Sequence, residues 1–270
     1  MDKKIAFIGA GNMGYAMISS VAKSNIIPTE NILVFDIDKE KLSRLKEETN
    51  ICTVPSAYDA VKNADIVILA VKPNMVKEVL TKIKTAMDDK KILVSVAVGI
   101  PIKFYQGIVG SDKKIVRTMP NTPALVGEGM TLMCYENVSD DEAKTVREIF
   151  ECFGKVEFLD EKLMSEVTAL TSSSPAYVFM FIEAMADAAV LSGIPRTLAY
   201  NLAAQAVLGS AKMVLKTGKH PGELKDMVCS PAGTTIEAVS SLEKNRFRHA
   251  VIEAMNECTR KALDIGKMYD

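Results

Sequence analysis

Four consecutive apolar residues, Ile5 to Ile8, give way to a glycine-rich step and then to apolar positions at Met13, Ala16, Met17 and Val21. The first pattern predicts a strand buried on both faces over residues 4–8. The second, with its three-to-four spacing, predicts an amphipathic helix over 12–23. The alternation recurs to about residue 160. Apolar runs predict further strands at 32–35, 66–70, 92–96, 114–117, 130–134 and 156–158. Between them, amphipathic stretches predict helices at 39–49, 74–87, 102–108 and 140–152. This rhythm points to an α/β fold with a doubly wound, mostly parallel sheet.

Beyond Leu159 the strand pattern stops, and alanine-rich helical segments are predicted at 161–171, 176–191, 198–217, 235–242 and 247–267. The expected division is a first domain over 1–160 and an all-helical domain over 161–270. Two of these helices are apolar almost all round and meet at Gly193-Ile194-Pro195. Glu183 and Asp187 interrupt the first, so neither reaches the ~20 uninterrupted apolar residues of a membrane span. No membrane partner is expected. Such helices are read as buried in protein, in a homodimer interface.

Composition narrows the function classes. The net charge of -1 is spread along the 270 residues, which predicts no nucleic-acid partner. Five cysteines (Cys52, Cys134, Cys152, Cys229 and Cys258) are dispersed with no C-x-x-C pair. They fit a reducing compartment rather than a disulfide framework or zinc site. The first strand begins too early for a secretion signal, so a cytoplasmic location is expected. With only His220 and His249 available, no metal site is expected.

The chemistry starts in the first turn, Gly9-Ala10-Gly11-Asn12-Met13-Gly14. Between a buried strand and a helix, this spacing predicts dinucleotide binding: Gly9 for the tight turn, Gly11 for close approach of a pyrophosphate, Gly14 for helix–strand packing. The phosphates would rest on the free N–H groups of the helix start. Asp36 ends the second strand, where an acid would accept from the adenosine ribose 2′-OH, favouring NADH over NADPH. Asp38 reads as a helix cap. The turns Ala70-Val71-Lys72-Pro73 and Met119-Pro120-Asn121-Thr122-Pro123 both follow strands at the carboxyl edge of the sheet. There Lys72 would face a phosphate or solvent, and the Asn121 amide would point at nicotinamide or substrate. In Ser230-Pro231-Ala232-Gly233-Thr234-Thr235, backbone N–H groups and hydroxyls meet at a helix start, a nest suited to a carboxylate, with Ser230 able to cap.

These motifs, with Val116-Arg117-Thr118, Ser174-Pro175-Ala176-Tyr177 and His220-Pro221-Gly222-Glu223-Leu224-Lys225-Asp226, run in order along the whole chain. Together they resemble pyrroline-5-carboxylate reductase. The resemblance implies hydride transfer from NADPH or NADH to the C=N carbon of a small cyclic imino acid, giving L-proline. It also implies an interlocked homodimer, assembled further into a ring of dimers. Thr235 would bond the ring nitrogen as the catalytic residue, Gly233 and Thr234 would hold the carboxylate, and Glu161 would border the site. Gly9, Gly11, Asn12, Met13, Val71, Lys72 and Ala97 would line the cofactor, with Ala10, Gly14, Pro73 and Pro120 in the same loops. The chain departs from the family pattern at Ser172, Ser174 and Ala232, each replacing a glycine, and at Ala57, which replaces an asparagine.

A protonated imine is already electrophilic, so this reaction needs no strong acid; a hydroxyl that orients the nitrogen suffices, and Cys229 reads as structural. A hydroxy-acid dehydrogenase would need a general base, and neither histidine sits in a suggestive motif. A non-catalytic dinucleotide sensor would have no use for a carboxylate nest.

Overall fold

The computed structural model describes residues 1–269, which form two compact units. Met1–Ser172 together with the residues from Thr259 onward make one, and Ser173–Cys258 the other. The first unit contains eight strands among its described residues: β1 (Ile5–Ile8), β2 (Ile32–Phe35), β3 (Cys52–Thr53), β4 (Ile66–Leu69), β5 (Ile92–Ser95), β6 (Lys114–Met119), β7 (Gly129–Glu136) and β8 (Gly154–Phe158). They form one sheet in the order β3-β2-β1-β4-β5-β6-β7-β8. Every pairing is parallel except β6 with β7.

Helices cover both faces because the strand residues alternate between two cores. Ile5, Phe7, Val34, Ile68 and Val94 pack with α1 (Asn12–Ser24), α2 (Lys39–Thr49) and α6 (Asp140–Glu151). Ala6, Ile8, Val67, Leu69 and Leu93 pack with α3 (Ala57–Lys62), α4 (Val76–Ile83) and α5 (Ile102–Val109). An unbroken apolar run is what a strand covered on both sides requires. The chain reverses direction across the sheet between β1 and β4, so the loops leaving those strands open a crevice at their carboxyl ends.

The structure adds elements that the sequence pattern did not predict. The two residues of β3 are too few to show a period. Helix α3 starts at a Ser56 cap, whose Oγ accepts from Asp59 N at 3.1 Å, and Ala57 is buried in the second core. The predicted helix over 161–171 is instead a 3-10 turn, Glu161–Leu163, and a single helical turn, α7 (Thr168–Thr171). Tertiary bonds override propensity there: Glu161 is drawn to Arg117 at 3.0 Å and to Ile102 N at 2.7 Å.

The second unit is helical: α8 (Ser174–Leu191), α9 (Arg196–Thr217), α10 (Pro221–Val228), α11 (Thr234–Lys244) and most of α12 (Phe247–Gly266). The unpredicted α10 is short and capped by His220, whose Nδ1 accepts from Gly222 N at 3.0 Å. Helices α8 and α9 pack together and turn at Gly193, which has φ +91°. Small buried residues, Ala186, Ala199 and Ala203, let their backbones approach. Many larger apolar side chains stay uncovered, among them Phe179, Met180, Leu202, Leu215 and Ile252. Among the described residues one stretch, Thr168–Leu191, is long and apolar enough to cross a membrane by length and composition.

Candidate active site

The glycine-rich turn has the geometry its sequence predicts. Gly9 lies at φ +104°, and a Cβ there would stand 2.5 Å from the Ala70 carbonyl oxygen. A Cβ on Gly14 would collide with the carbonyl of Gly9, so close helix–strand packing excludes any side chain. At Gly11, by contrast, a Cβ would meet nothing within 4 Å. It would project into an open cleft, the space a pyrophosphate needs. Gly11 is also the N-cap of α1 and has no side-chain cap, so the first N–H groups of the helix face outward.

Two clefts flank this turn. One, of about 360 Å³, has largely apolar walls, Ile37, Val71 and Met75 among them, beside Gly9 and Gly11, with Asp36, Asp38, Lys41 and Lys72 as its charged residues. Another, of about 550 Å³, is lined by Asn12, Met13, Lys72, Pro73, Ala97 and Pro120. A glycine turn with free N–H groups, an apolar slot and a second cleft alongside fit the phosphates, adenosine and nicotinamide of a dinucleotide. Ala10 lines a third recess with Tyr15, Lys41 and Arg44. Lys41 lines all three spaces, and its sequence position had signalled nothing, because only the fold turns α2 toward the glycine loop.

Asp36 sits at the mouth of the first cleft with its carboxylate fixed by backbone. Oδ2 accepts from Ala10 N at 2.6 Å and Oδ1 from Asp38 N at 2.8 Å. Each oxygen keeps a lone pair for another donor. Asp38 caps α2 as predicted, accepting from Glu40 N at 3.1 Å and Lys41 N at 3.2 Å. Backbone and side-chain bonds from Lys41 hold its carboxyl below the ordinary range.

Asn121 is anchored to backbone at both ends of its amide. Its Oδ1 accepts from Met130 N at 2.9 Å and its Nδ2 donates to Thr171 O at 2.9 Å. Each end of the amide bonds to backbone, so the side chain clamps the loop after β6, with one N–H and one lone pair left over. Glu161 is similarly engaged by Ile102 N and by Arg117, a buried side chain. It opens a recess of about 510 Å³ shared with Cys134 and Asp160. Burial pushes the Cys134 thiol up to about 12, which keeps it protonated and unreactive at neutral pH.

In the helical unit the nest forms at the start of α11. Its N-cap is Gly233, with no side-chain cap, which corrects the expectation for Ser230. Ser230 instead receives the Gly233 N–H on its carbonyl at 3.0 Å, and its Oγ lies where a Gly233 side chain would be. The N–H groups of Thr234, Thr235 and Ile236 thus open the helix without side-chain caps, beside two hydroxyls. Thr234 is exposed and Thr235 half-buried. Ala232 has φ +57°, a left-handed conformation that glycine adopts more readily than alanine. Ser172 and Ser174 have no positive φ, so serine replaces glycine at those positions without backbone strain.

A family model described as pyrroline-5-carboxylate reductase dimerisation matches residues 161–265. A second, described as NADP oxidoreductase coenzyme F420-dependent, matches residues 4–99. The pyrroline-5-carboxylate reductase of Escherichia coli (strain K12) is 48% identical over 268 residues, covering 99% of this chain and 100% of the relative. The crystal structure of the Plasmodium falciparum pyrroline carboxylate reductase with NADP bound superposes with a TM-score of 0.89 at 37% identity, covering 98% of each chain. A pyrroline-5-carboxylate reductase from Coxiella burnetii superposes with a TM-score of 0.91 at 32% identity, covering 98% of this chain and 99% of that one. With close to half its residues shared with a pyrroline-5-carboxylate reductase over the full length, this chain belongs to the pyrroline-5-carboxylate reductase family and is a nicotinamide-dependent oxidoreductase.

Proposed function

We propose that the chain reduces 1-pyrroline-5-carboxylate to L-proline, the last step of proline synthesis. The observation that carries this reading is the start of α11, where three N–H groups have no side-chain cap and two threonines are the first helical residues. A carboxylate on that helix end is favoured by the N–H groups and by the helix dipole. Gly233 and Thr234 hold it through backbone, and Ser230 shapes the turn beneath. The Thr235 hydroxyl then orients the ring nitrogen, which enters protonated and electrophilic. As the C=N carbon becomes C–H, the nitrogen recovers its electron pair and becomes a secondary amine. A bound nicotinamide dinucleotide supplies the hydride in this chemistry.

The protein's own contribution is placement. Asn12, Met13 and Gly11 hold the phosphates on the α1 N-terminus, while Val71, Lys72, Pro73, Ala97 and Pro120 wall the second cleft. Asp36 supports a preference for NADH, because its carboxylate would accept ribose hydroxyls and repel a 2′-phosphate. The uncovered apolar residues of α8, α9 and α12 support a homodimer that assembles further into a ring of dimers.

The direct test is oxidation of reduced cofactor, followed at 340 nm with pyrroline-5-carboxylate. Thr235→Val keeps shape but removes the hydroxyl. Loss of a bond to a charged, desolvated nitrogen costs ~1.5–3 kcal/mol, a 10- to 150-fold fall in kcat/KM. Thr234→Val falls less, since its proposed role uses the backbone. Near-normal turnover by a well-assembled Thr235→Val protein would remove Thr235 from the mechanism.

A further inference from the structure

We infer that Ser95 and Tyr105 are positioning residues for the dinucleotide: their buried hydroxyl pair holds the loop after β5 in the shape that walls the second cleft. Ser95 ends β5 and is wholly buried, as is Tyr105 on α5. Their oxygens lie 2.6 Å apart. Ser95 Oγ also accepts from Ala97 N at 3.2 Å, and Thr118 Oγ1 donates to the Ser95 carbonyl at 3.0 Å. Apolar residues fill the rest of this strand, Ile92, Leu93 and Val94. A serine–tyrosine pair in such a core adds little stability over an apolar pair of equal size. What it adds is a fixed bond to one backbone N–H.

That N–H lies where the sheet ladder stops. Val96 N makes a last bond to Leu69 O at 3.2 Å, and the chain then leaves the sheet at Ala97. Ala97 is buried, so its N–H needs a partner, and Ser95 Oγ is the one within reach. Residues 96–98 then line the cleft. The C-terminal segment holds the same loop from outside. Gly99 lies at φ +83°, and a Cβ there would stand 2.9 Å from Ile265 Cγ2. Tyr269 meets Phe104 edge-on at 5.2 Å, and Phe104 meets Tyr105 at 6.2 Å. Burial drives the Tyr105 phenol above its ordinary range, so the pair stays neutral and its hydrogen bond persists across working pH. A loop preset in this way spares the ligand the cost of ordering it.

The inference rests on the dinucleotide cleft and not on the identity of the imine. Its test is titration of NADH and NADPH onto the purified protein without imine, followed by cofactor fluorescence, for Ser95→Ala and Ser95→Thr. If the loop in Ser95→Ala spends about a tenth to a third of its time in the competent shape, Kd rises about three- to tenfold. Ser95→Thr, which keeps the oxygen, restores affinity, and the imine KM at saturating cofactor stays unchanged in both. A parental Kd in Ser95→Ala overturns the inference, even where its melting temperature has fallen. Should Ser95→Ala fail to fold, Tyr105→Phe keeps the ring and takes its place, with a parental Kd again the overturning result. A failed imine-reduction assay would leave these titrations interpretable.

Discussion

Ala232 holds a left-handed backbone conformation at φ +57°, in a turn closed by Gly233 N bonding to Ser230 O. Pro231 and Ala232 are its central residues, and glycine is favoured at the second when φ is positive. A residue with a Cβ pays about 1–2 kcal/mol in that region. Glycine avoids this cost but loses about 0.5–1 kcal/mol more chain entropy on folding. Ala232 is exposed, so its methyl group contributes no packing to set against the change. Ala232→Gly is therefore expected to stabilise the protein by about 0.5–1 kcal/mol, a rise in melting temperature of roughly 1–4 °C. Calorimetry or urea denaturation at fixed protein concentration measures this, with Ala232→Val as the opposite control. Valine adds a branched side chain where φ is positive and should destabilise. The turn keeps its hydrogen bond in both variants, so Ala232→Gly should retain its imine affinity. A glycine variant less stable than the parent, or a valine variant equal to it, would refute the strain argument.

Gly11→Ala places a methyl in the open cleft and should weaken dinucleotide binding at least tenfold in a titration, with the melting temperature little changed. Gly14→Ala drives its methyl into the Gly9 carbonyl and should lower stability first; the reverse ranking would show the turn's roles misassigned. Asp36→Ser should move the kcat/KM ratio toward NADPH, and an unchanged ratio would mean that its carboxylate serves only Ala10 N and Asp38 N. For assembly, Phe179→Arg is the informative change, because Phe179 is exposed whereas Ala186 is packed inside its own unit. An unpaired charge in a dimer interface costs about 3 kcal/mol or more, about a hundredfold in dimer Kd by sedimentation; an unaltered dimer would place the interface elsewhere.

Much of this protein was legible along the chain, because local patterns report local physics. Ile5–Ile8, Ile32–Phe35, Ile66–Leu69 and Ile92–Ser95 are apolar at every position or nearly so, as strands covered on both faces must be. The glycines at 9 and 14 carried their packing roles in their spacing, since each follows from backbone geometry alone. Asp38 announced a helix start for the same reason. The apolar character of residues 176–191 likewise indicated a surface requiring cover.

Tertiary structure decided what depends on partners distant in sequence. Asn121 looks like a free amide until Met130 N and Thr171 O, nine and fifty positions away, take both of its ends. Glu161 looks like the start of a helix until Arg117, forty-four positions earlier, claims its carboxylate. Lys41 gains a place at the clefts only when α2 folds beside the glycine turn. Ser95 and Tyr105, ten residues apart, form one hydroxyl pair only because β5 and α5 pack in the same core. The sequence determines which groups are available and the local backbone each prefers. Which of those groups remain free for a ligand is decided by the competing hydrogen-bond partners that folding brings within reach.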